Sequence, residues 1–319
     1  MTVYRSVAAI PADFAPSAVA IGKFDGVHAG HRAVLGSLVE EARAKGLRSV
    51  VVTFDRNPLA LLRPERCPEN VVGLGQKVEL LEDSGVDDVV VLPFDHALAD
   101  LSARDFVASI LVGALRMRAV LVGADFRFGA GGAGTVDTLR ELSGEFGFEV
   151  VIEPEVQGRD GGRASSTAIR TLLADGDVEG AAEMLGRPPR VRARVVHGLK
   201  RGRELGYPTA NLAAAPDGFV PAEGVYAGRL VDHDAPGEPS YPAAISIGVN
   251  PTFDDVTERQ VEAYVLDADL DLYGHLVDIE FVHRIRGMVA FDGIEPLIAQ
   301  MAKDVDETRD ALARADAAR

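Results

Sequence analysis

From Ser17 to Glu153, short apolar runs alternate with stretches whose apolar residues recur at helical spacing. "SAVAIGKF" (17–24) reads as a strand, "HRAVLGSLVEEARAKG" (31–46) as a helix closed by Gly46, and "RSVVVTF" (48–54) as a second strand. The unit recurs through "QKVELLEDSG", "DDVVVLPF", "ARDFVASILVGAL", "RAVLVGAD", "TVDTLRELSGEFG" and "FEVVIEPE". Val and Ile runs without strict alternation suit parallel strands covered on both faces, so this half is expected to be a doubly wound α/β sheet. Two short helices follow, "STAIRTLLADG" and "VEGAAEMLG", the second capped by Asp177 and the pair closed by Gly176 and Gly186.

Past "RPPR" (187–190) the period changes from helical to alternating. "VRARVVHG", "GVYAGRLVDH", "YPAAISIGV", "RQVEAYVLD" and "LVDIEFVHRIR", separated by Gly, Pro and Asp, predict an antiparallel β-barrel. Apolar residues at 294, 297, 298, 301 and 305 predict a terminal helix packed on that barrel. Two domains are therefore expected, 1–186 and 187–319.

Composition narrows the class. The chain is 47% apolar and 26% charged with a net charge of −16 and an isoelectric point near 4.9, as for a soluble globular protein. The average field repels nucleic acid and anionic membrane surfaces, so any anionic ligand must be held by local dipoles, Lys or Arg. A single cysteine, Cys67, excludes an internal disulfide and points to a reducing compartment. Prolines and Asp13 interrupt any signal-like run near the start, and no apolar run approaches the ~18 residues that span a bilayer. A cytoplasmic location is expected.

Candidate chemistry begins at "GKFDGVHAGH" (22–31), placed after a strand and before a helix, where open parallel sheets bind ligands. Gly22, Gly26 and Gly30 leave the backbone approachable, and free N–H groups at the helix start attract phosphate. His28 and His31 share a face if both lie on the first turn, and suit a phosphate that gains charge during transfer. The spacing alone also admits capping histidines, or a zinc site that lacks a third ligand. "ASSTAIR" (164–170) sets Ser165, Ser166 and Thr167 at another helix start with Arg170 one turn inside, which is either an ordinary cap or a second anion element.

"GAGGAG" (129–134), with Glu153 about 20 residues on, matches a dinucleotide fingerprint. Five residues separate Gly129 from the preceding strand, however, which argues against NAD and for a substrate loop. In the second half, "HGLKRGRELGYPTANL" carries Gly198, Gly202 and Gly206 with Lys200, Arg201 and Arg203, then Pro208, Thr209 and Asn211. This is either a mobile phosphate-covering loop with hard oxygen ligands or a Gly/Pro barrel turn. Glu262 faces opposite to Val261 and Ala263, toward solvent or into a site.

Together, "GKFDGVHAGH", "SSTAIR" and "VGADFRFG", with "GYPTAN", "GVNPTF", "VEAYVLD", "DLYG" and "RIRGMVAFDGIEPLIAQMAKDV", resemble the bacterial bifunctional riboflavin kinase/FMN adenylyltransferase (FAD synthetase) family from about residue 18 to 312. The resemblance implies a Rossmann-like HxGH nucleotidyltransferase domain, and a riboflavin kinase barrel with its terminal helix. The barrel would phosphorylate riboflavin to FMN, and the α/β domain would adenylylate FMN to FAD with release of pyrophosphate. It further implies that His28 and His31 stabilise the ATP phosphates, with Gly22, Phe24, Gly30, Ser166, Thr167 and Arg170 binding nucleotide, and Asp125 and Arg127 near the flavin. In the barrel it implies Glu262 as catalytic base, Thr209 and Asn211 on Mg²⁺ and ATP, Gly198, Gly202 and Gly206 around the phosphates, and Arg286 and Phe291 over the flavin. The implied co-substrate is MgATP, with neither zinc nor NAD, and the implied partners are the small molecules riboflavin, FMN, FAD and ATP.

One position departs from the family. A Pro-His-Pro turn usually follows the strand "VVVTF", and residues 56–58 here are Arg-Asn-Pro. Asn57 donates a hydrogen bond but carries no charge, and Arg56 compensates only if it points inward. The alternatives are a riboflavin kinase whose adenylyltransferase domain is weakened or accepts another nucleotide, and a non-catalytic flavin-binding protein.

Overall fold

The computed structural model describes residues 1–154, 164–198, 206–249 and 259–317. They form two compact units, Met1–Glu69 with Leu74–Ser165, and Asn70–Gly73 with Ser166–Arg319.

The first unit holds β1 (Thr2–Tyr4), β2 (Ser17–Ile21), β3 (Arg48–Phe54), β4 (Asp88–Leu92), β5 (Met117–Gly123) and β6 (Glu149–Glu153) in one parallel sheet of order β1-β4-β3-β2-β5-β6. Its helices are α1 (Ala29–Lys45), α2 (Leu59–Leu62), α3 (Leu74–Glu82), α4 (His96–Ala99), α5 (Ala103–Asp105) and α6 (Val136–Phe146), with a π-helical segment at Phe106–Ala114. Alternate residues of each strand serve opposite faces. Ala18, Ala20, Val51, Val89 and Leu121 pack with Leu35, Leu38 and Ala42 of α1 and Val78 and Leu81 of α3. Val19, Ile21, Val50, Val52 and Val120 pack with Phe106, Ile110 and Leu111 of the π-helical segment and Leu139 of α6. The expected doubly wound sheet is present, and burial on both faces is why its strands read as unbroken apolar runs.

Strand order places a switch point at β2. The chain winds from β2 to β3 and β4 on one side, then crosses to β5 and β6 on the other. The loops leaving β2 and β5 therefore flank the crevice where such sheets bind ligands.

The second unit is a closed antiparallel barrel of order β10-β11-β8-β7-β12-β9. Its strands are β7 (Arg190–Val196), β8 (Ala210–Leu212), β9 (Gly224–Asp232), β10 (Ser240–Val249), β11 (Arg259–Val265) and β12 (Leu276–Arg286). Tyr226 and Phe281 meet edge to face inside it at 5.5 Å. The terminal helix α9 (Ile294–Ala317) lays Ala311 and Leu312 on Ala227, Val282 and Ile285 of the barrel's outer surface.

Packing divides the chain earlier than the change of period does. Helices α7 (Ser166–Asp175) and α8 (Val178–Leu185) cluster with the barrel. Ala222 donates its N–H to the Leu173 carbonyl at 2.9 Å, Arg284 reaches the Asp175 carbonyl at 2.8 Å, and His283 meets Glu179 at 2.6 Å. The sequence marks where helical periodicity stops, whereas these contacts come from residues more than 40 positions away.

Candidate functional site

The loop leaving β2 is held in an unusual conformation. Phe24 and Val27 adopt left-handed backbone angles (φ 48° and 40°), as does Gly26 at 80°. Such conformations cost a non-glycine residue about 1–3 kcal/mol each. Burial offsets that cost, since Phe24 and Val27 are 3% and 1% exposed within the core under α1.

The turn delivers His28 to the N-cap of α1, where its Nδ1 accepts the His31 N–H at 3.4 Å. That bond assigns the proton of a neutral His28 to Nε2, which is then a donor. The two imidazoles stack at 3.7 Å and 19°, and the Phe24 ring meets His31 at 5.2 Å. Gly30 leaves room for this arrangement, because a Cβ there would lie 3.2 Å from the His28 ring.

Four hydrogen bonds latch the loop to the end of β3. Gly22 donates its N–H to the Val52 carbonyl at 3.1 Å, and the Thr53 hydroxyl donates to the Lys23 carbonyl at 3.2 Å. From α3, Lys77 Nζ donates to the Phe54 carbonyl at 2.8 Å and to the Lys23 carbonyl at 3.3 Å. Lys77 is 9% exposed, and burial pushes its ammonium down to about 8, against the attraction of Asp25 and Asp55. Lys77 is not among the candidate residues that the motifs mark. The signal was its place on the buried stripe of α3, with Val78 and Leu81.

Across the switch point, Asp125 and Arg127 lie exposed in the loop after β5, beside the stacked rings of Phe126 and Phe128. The glycines of "GAGGAG" form a single 3-10 turn, Ala130–Gly132, and α6 begins beyond them at Val136. Glu153 accepts the Ser37 hydroxyl at 3.0 Å. The dinucleotide geometry is therefore not formed here, since its glycines must open a helix directly after the strand.

In the second unit, Ser166 opens α7, and Arg170 Nη2 lies 3.4 Å from the Thr167 hydroxyl one turn earlier.

The barrel site is written on paired strands. Glu262 of β11 stands directly opposite Asn211 of β8, so both side chains share a face, while Val261 and Ala263 are buried on the other. The Thr209 hydroxyl donates to Glu262 Oε2 at 3.1 Å, and Asn211 Nδ2 donates to the Thr209 hydroxyl at 3.2 Å. Gln260, two residues before Glu262 on the same face, donates to Asn211 Oδ1 at 2.9 Å and fixes which way that amide points. Gly198 is required beside it, as a Cβ there would sit 2.3 Å from Asn211 Oδ1. A cleft runs from this cluster between Val195, Pro208, Leu272 and Tyr273. Gly206 takes a left-handed φ of 86° just before Tyr207-Pro208, while Gly202, Lys200, Arg201 and Arg203 lie outside the described residues, as do positions 250–253 of "GVNPTF".

The Thr209 hydroxyl, the Asn211 carbonyl and the Glu262 carboxylate are hard oxygens, the donor class that Mg²⁺ takes alongside water and phosphate. Among the described residues no three His, Cys, Asp or Glu side chains group as a metal site. No helix among them is long and apolar enough to cross a membrane.

A family model described as FAD synthetase matches residues 10–168, and one described as riboflavin kinase matches 185–312. The bifunctional riboflavin kinase/FMN adenylyltransferase of Escherichia coli (strain K12) is 38% identical over 284 residues, 89% of each chain. The chain belongs to the bifunctional riboflavin kinase/FMN adenylyltransferase family. The relative of that name from Bacillus subtilis (strain 168) is 36% identical over 92% of each chain. A crystal structure described as a macrolide-efflux protein from Streptococcus pneumoniae has a TM-score of 0.85 at 33% identity, covering 97% of this chain and 98% of that one.

Two regions singled out by the riboflavin kinase/FMN adenylyltransferase pattern have local partners in the structure. Asn57 is taken up locally, since its Oδ1 accepts the Leu59 N–H at 3.1 Å and starts α2, and Arg56 is half exposed beside Asp55 at 3.6 Å. Arg286 forms a two-pronged ion pair with the buried Asp304 of α9, at 2.9 and 2.7 Å, with the Phe291 ring 5.8 Å from its guanidinium. Both Arg286 and Phe291 are thus tied to the terminal helix and the loop leading into it.

Proposed function

We propose the following division of labour for the two reactions of FAD biosynthesis. Residues 187–319 phosphorylate riboflavin to FMN, and residues 1–186 transfer AMP from ATP to FMN, releasing pyrophosphate. The limits of the two family matches, 168 and 185, support this functional boundary.

In the barrel, the Glu262 carboxylate accepts the proton of the riboflavin 5′-hydroxyl as that oxygen attacks the γ-phosphate of ATP, the bond to the β,γ-bridging oxygen breaks and ADP leaves. The Thr209 bond at 3.1 Å orients the carboxylate, and this is the observation that carries the assignment. Thr209 and Asn211 would hold Mg²⁺, which neutralises charge on the polyphosphate when bound. The apolar walls of the adjoining cleft suit the adenine ring, with Gly198, Gly202 and Gly206 beside the phosphates. Arg286 and Phe291 border the flavin through the segment that joins β12 to α9.

In the adenylyl step, the FMN phosphate attacks the α-phosphate of ATP with no covalent enzyme intermediate. His28, through Nε2, and His31 donate to phosphate oxygens that gain charge in the transition state, as positioning and charge neutralisation require. Gly22, Phe24 and Gly30 shape the backbone for close approach, and Ser166, Thr167 and Arg170 form the second phosphate element. Asp125 and Arg127 meet the flavin from the loop after β5. The protein acts on small molecules without nucleic acid or membrane partners, in the cytoplasm, as the net charge of −16 and the single cysteine suggest.

The test is a chromatographic assay of riboflavin with MgATP. Wild-type protein yields FMN and then FAD over many turnovers. Glu262→Ala lowers FMN formation by about 10²–10⁴-fold while FMN-to-FAD conversion persists. Equal loss of both activities refutes the assignment of Glu262, and one product per chain favours a binding protein. Supplying FMN with each NTP tests the altered-nucleotide alternative raised by Asn57.

A further inference from the structure

A buried lysine inside an apolar helix face needs a reason, because Met or Leu would fill the same space without desolvating a charge. Lys77 occupies such a position, with Val78 and Leu81 buried beside it on α3. Its two hydrogen bonds do not stay within its own helix or go to side chains. They run to the backbone carbonyl that ends β3 and to the carbonyl of Lys23 in the β2–α1 loop. Lys23 directly precedes Phe24, the first left-handed residue of that loop, and His28 lies four residues beyond it. A strained segment persists only where its surroundings over-determine it.

We propose that Lys77 is a positioning residue for adenylyl transfer, holding the β2–α1 loop against the end of β3 so that His28 and His31 meet the ATP phosphates in fixed geometry. The inference rests on reading that loop as the adenylyl-transfer site. Lys77 touches no substrate in this account and acts through Lys23 and the turn that follows. Its effect belongs in kcat, because the histidines act on charge that develops in the transition state.

The experiment compares Lys77→Met, which keeps the length and loses the donors, with Lys77→Arg, which keeps charge and donors. His28→Ala serves as reference. Conversion of FMN to FAD is followed for kcat and for the KM of ATP, with the far-ultraviolet circular dichroism and thermal unfolding of the same preparation as the measure of folding and riboflavin phosphorylation as the control on the barrel. Lys77→Met is expected to lose roughly 10–100-fold in kcat for FAD formation, with the KM of ATP within about threefold and riboflavin phosphorylation intact. Lys77→Arg is expected to recover at least about a third of the lost rate on a logarithmic scale. The proposal is overturned if Lys77→Met forms FAD within about twofold of wild type, if only the KM of ATP rises, or if Lys77→Arg is as impaired as Lys77→Met. Should Lys77→Met also lose riboflavin phosphorylation, the Arg variant decides alone, by keeping or losing FAD formation. If His28→Ala itself leaves FAD formation unchanged, the reading of the loop fails rather than the role of Lys77.

Discussion

The two regions proposed to handle phosphate are built by opposite means. In the parallel-sheet unit the site is a loop, shaped by left-handed Phe24, Gly26 and Val27 and latched by Thr53 and Lys77. In the barrel unit the site is a set of side chains on neighbouring strands, with Glu262 and Asn211 facing each other in register. Backbone conformation carries the first, and strand pairing carries the second. The first should therefore be sensitive to any added atom near the turn, and the second to the identity of a few side chains.

Adding one carbon to the loop is the strongest way to break that contrast. Gly30→Ala drives a methyl group against the His28 ring, 3.2 Å away, and disturbs the histidine stack. FAD formation from FMN is expected to fall roughly 10–100-fold while riboflavin phosphorylation is unchanged, measured by separating the flavins after each half-reaction. Unchanged FAD formation would mean that the stack does not matter.

The same carbon added in the barrel should act only through the side chain it displaces. In Gly198→Ala the new Cβ falls within 2.3 Å of Asn211 Oδ1, so the amide must swing away from Gln260. A loss of about tenfold in kcat/KM for riboflavin phosphorylation is expected, with the requirement for Mg²⁺ raised and FAD formation from FMN unaffected. Titration of Mg²⁺ in the two half-reactions reads this directly.

The smallest effect concerns stability. Lys77 titrates at about 8 in the folded chain against an ordinary 10.5. Between these values the unfolded chain holds the proton and the folded chain does not, so stability rises with pH across that window. Below pH 8 both states are protonated and the burial cost is constant. Chemical denaturation from pH 8 to 10 should show this contribution as a slope approaching about 1.4 kcal/mol per pH unit, absent in Lys77→Met.

Much of this was legible in the chain. Unbroken Val runs gave away the doubly covered sheet, the change of period gave away the barrel, and the polar position between Val261 and Ala263 placed Glu262 on its face. What escaped was whatever depends on contacts distant in sequence. β1 and β8 are three residues each, too short for a periodic signal. The ion pair of Arg286 with Asp304 joins residues 18 positions apart, on a strand and on the terminal helix, and no local pattern announces it. Lys77 was passed over because lysine in an amphipathic helix normally faces water, and only its phase relative to Val78 and Leu81 says otherwise. Asn57 reads from the sequence as an uncharged donor in place of a histidine, and its side-chain carbonyl accepts the Leu59 N–H at the start of α2.

The pairing of Glu262 with Asn211 also bears on how the barrel unit folds. A slip of one residue between β11 and β8 would turn Glu262 into the apolar interior and push Val261 and Ala263 out to water. The misregistered barrel would be penalised by a buried carboxylate and two exposed apolar groups at once. Assembly of the proposed kinase centre is thereby tied to correct closure of the sheet, and a chain population should divide into competent and unfolded molecules, with few folded but inert ones.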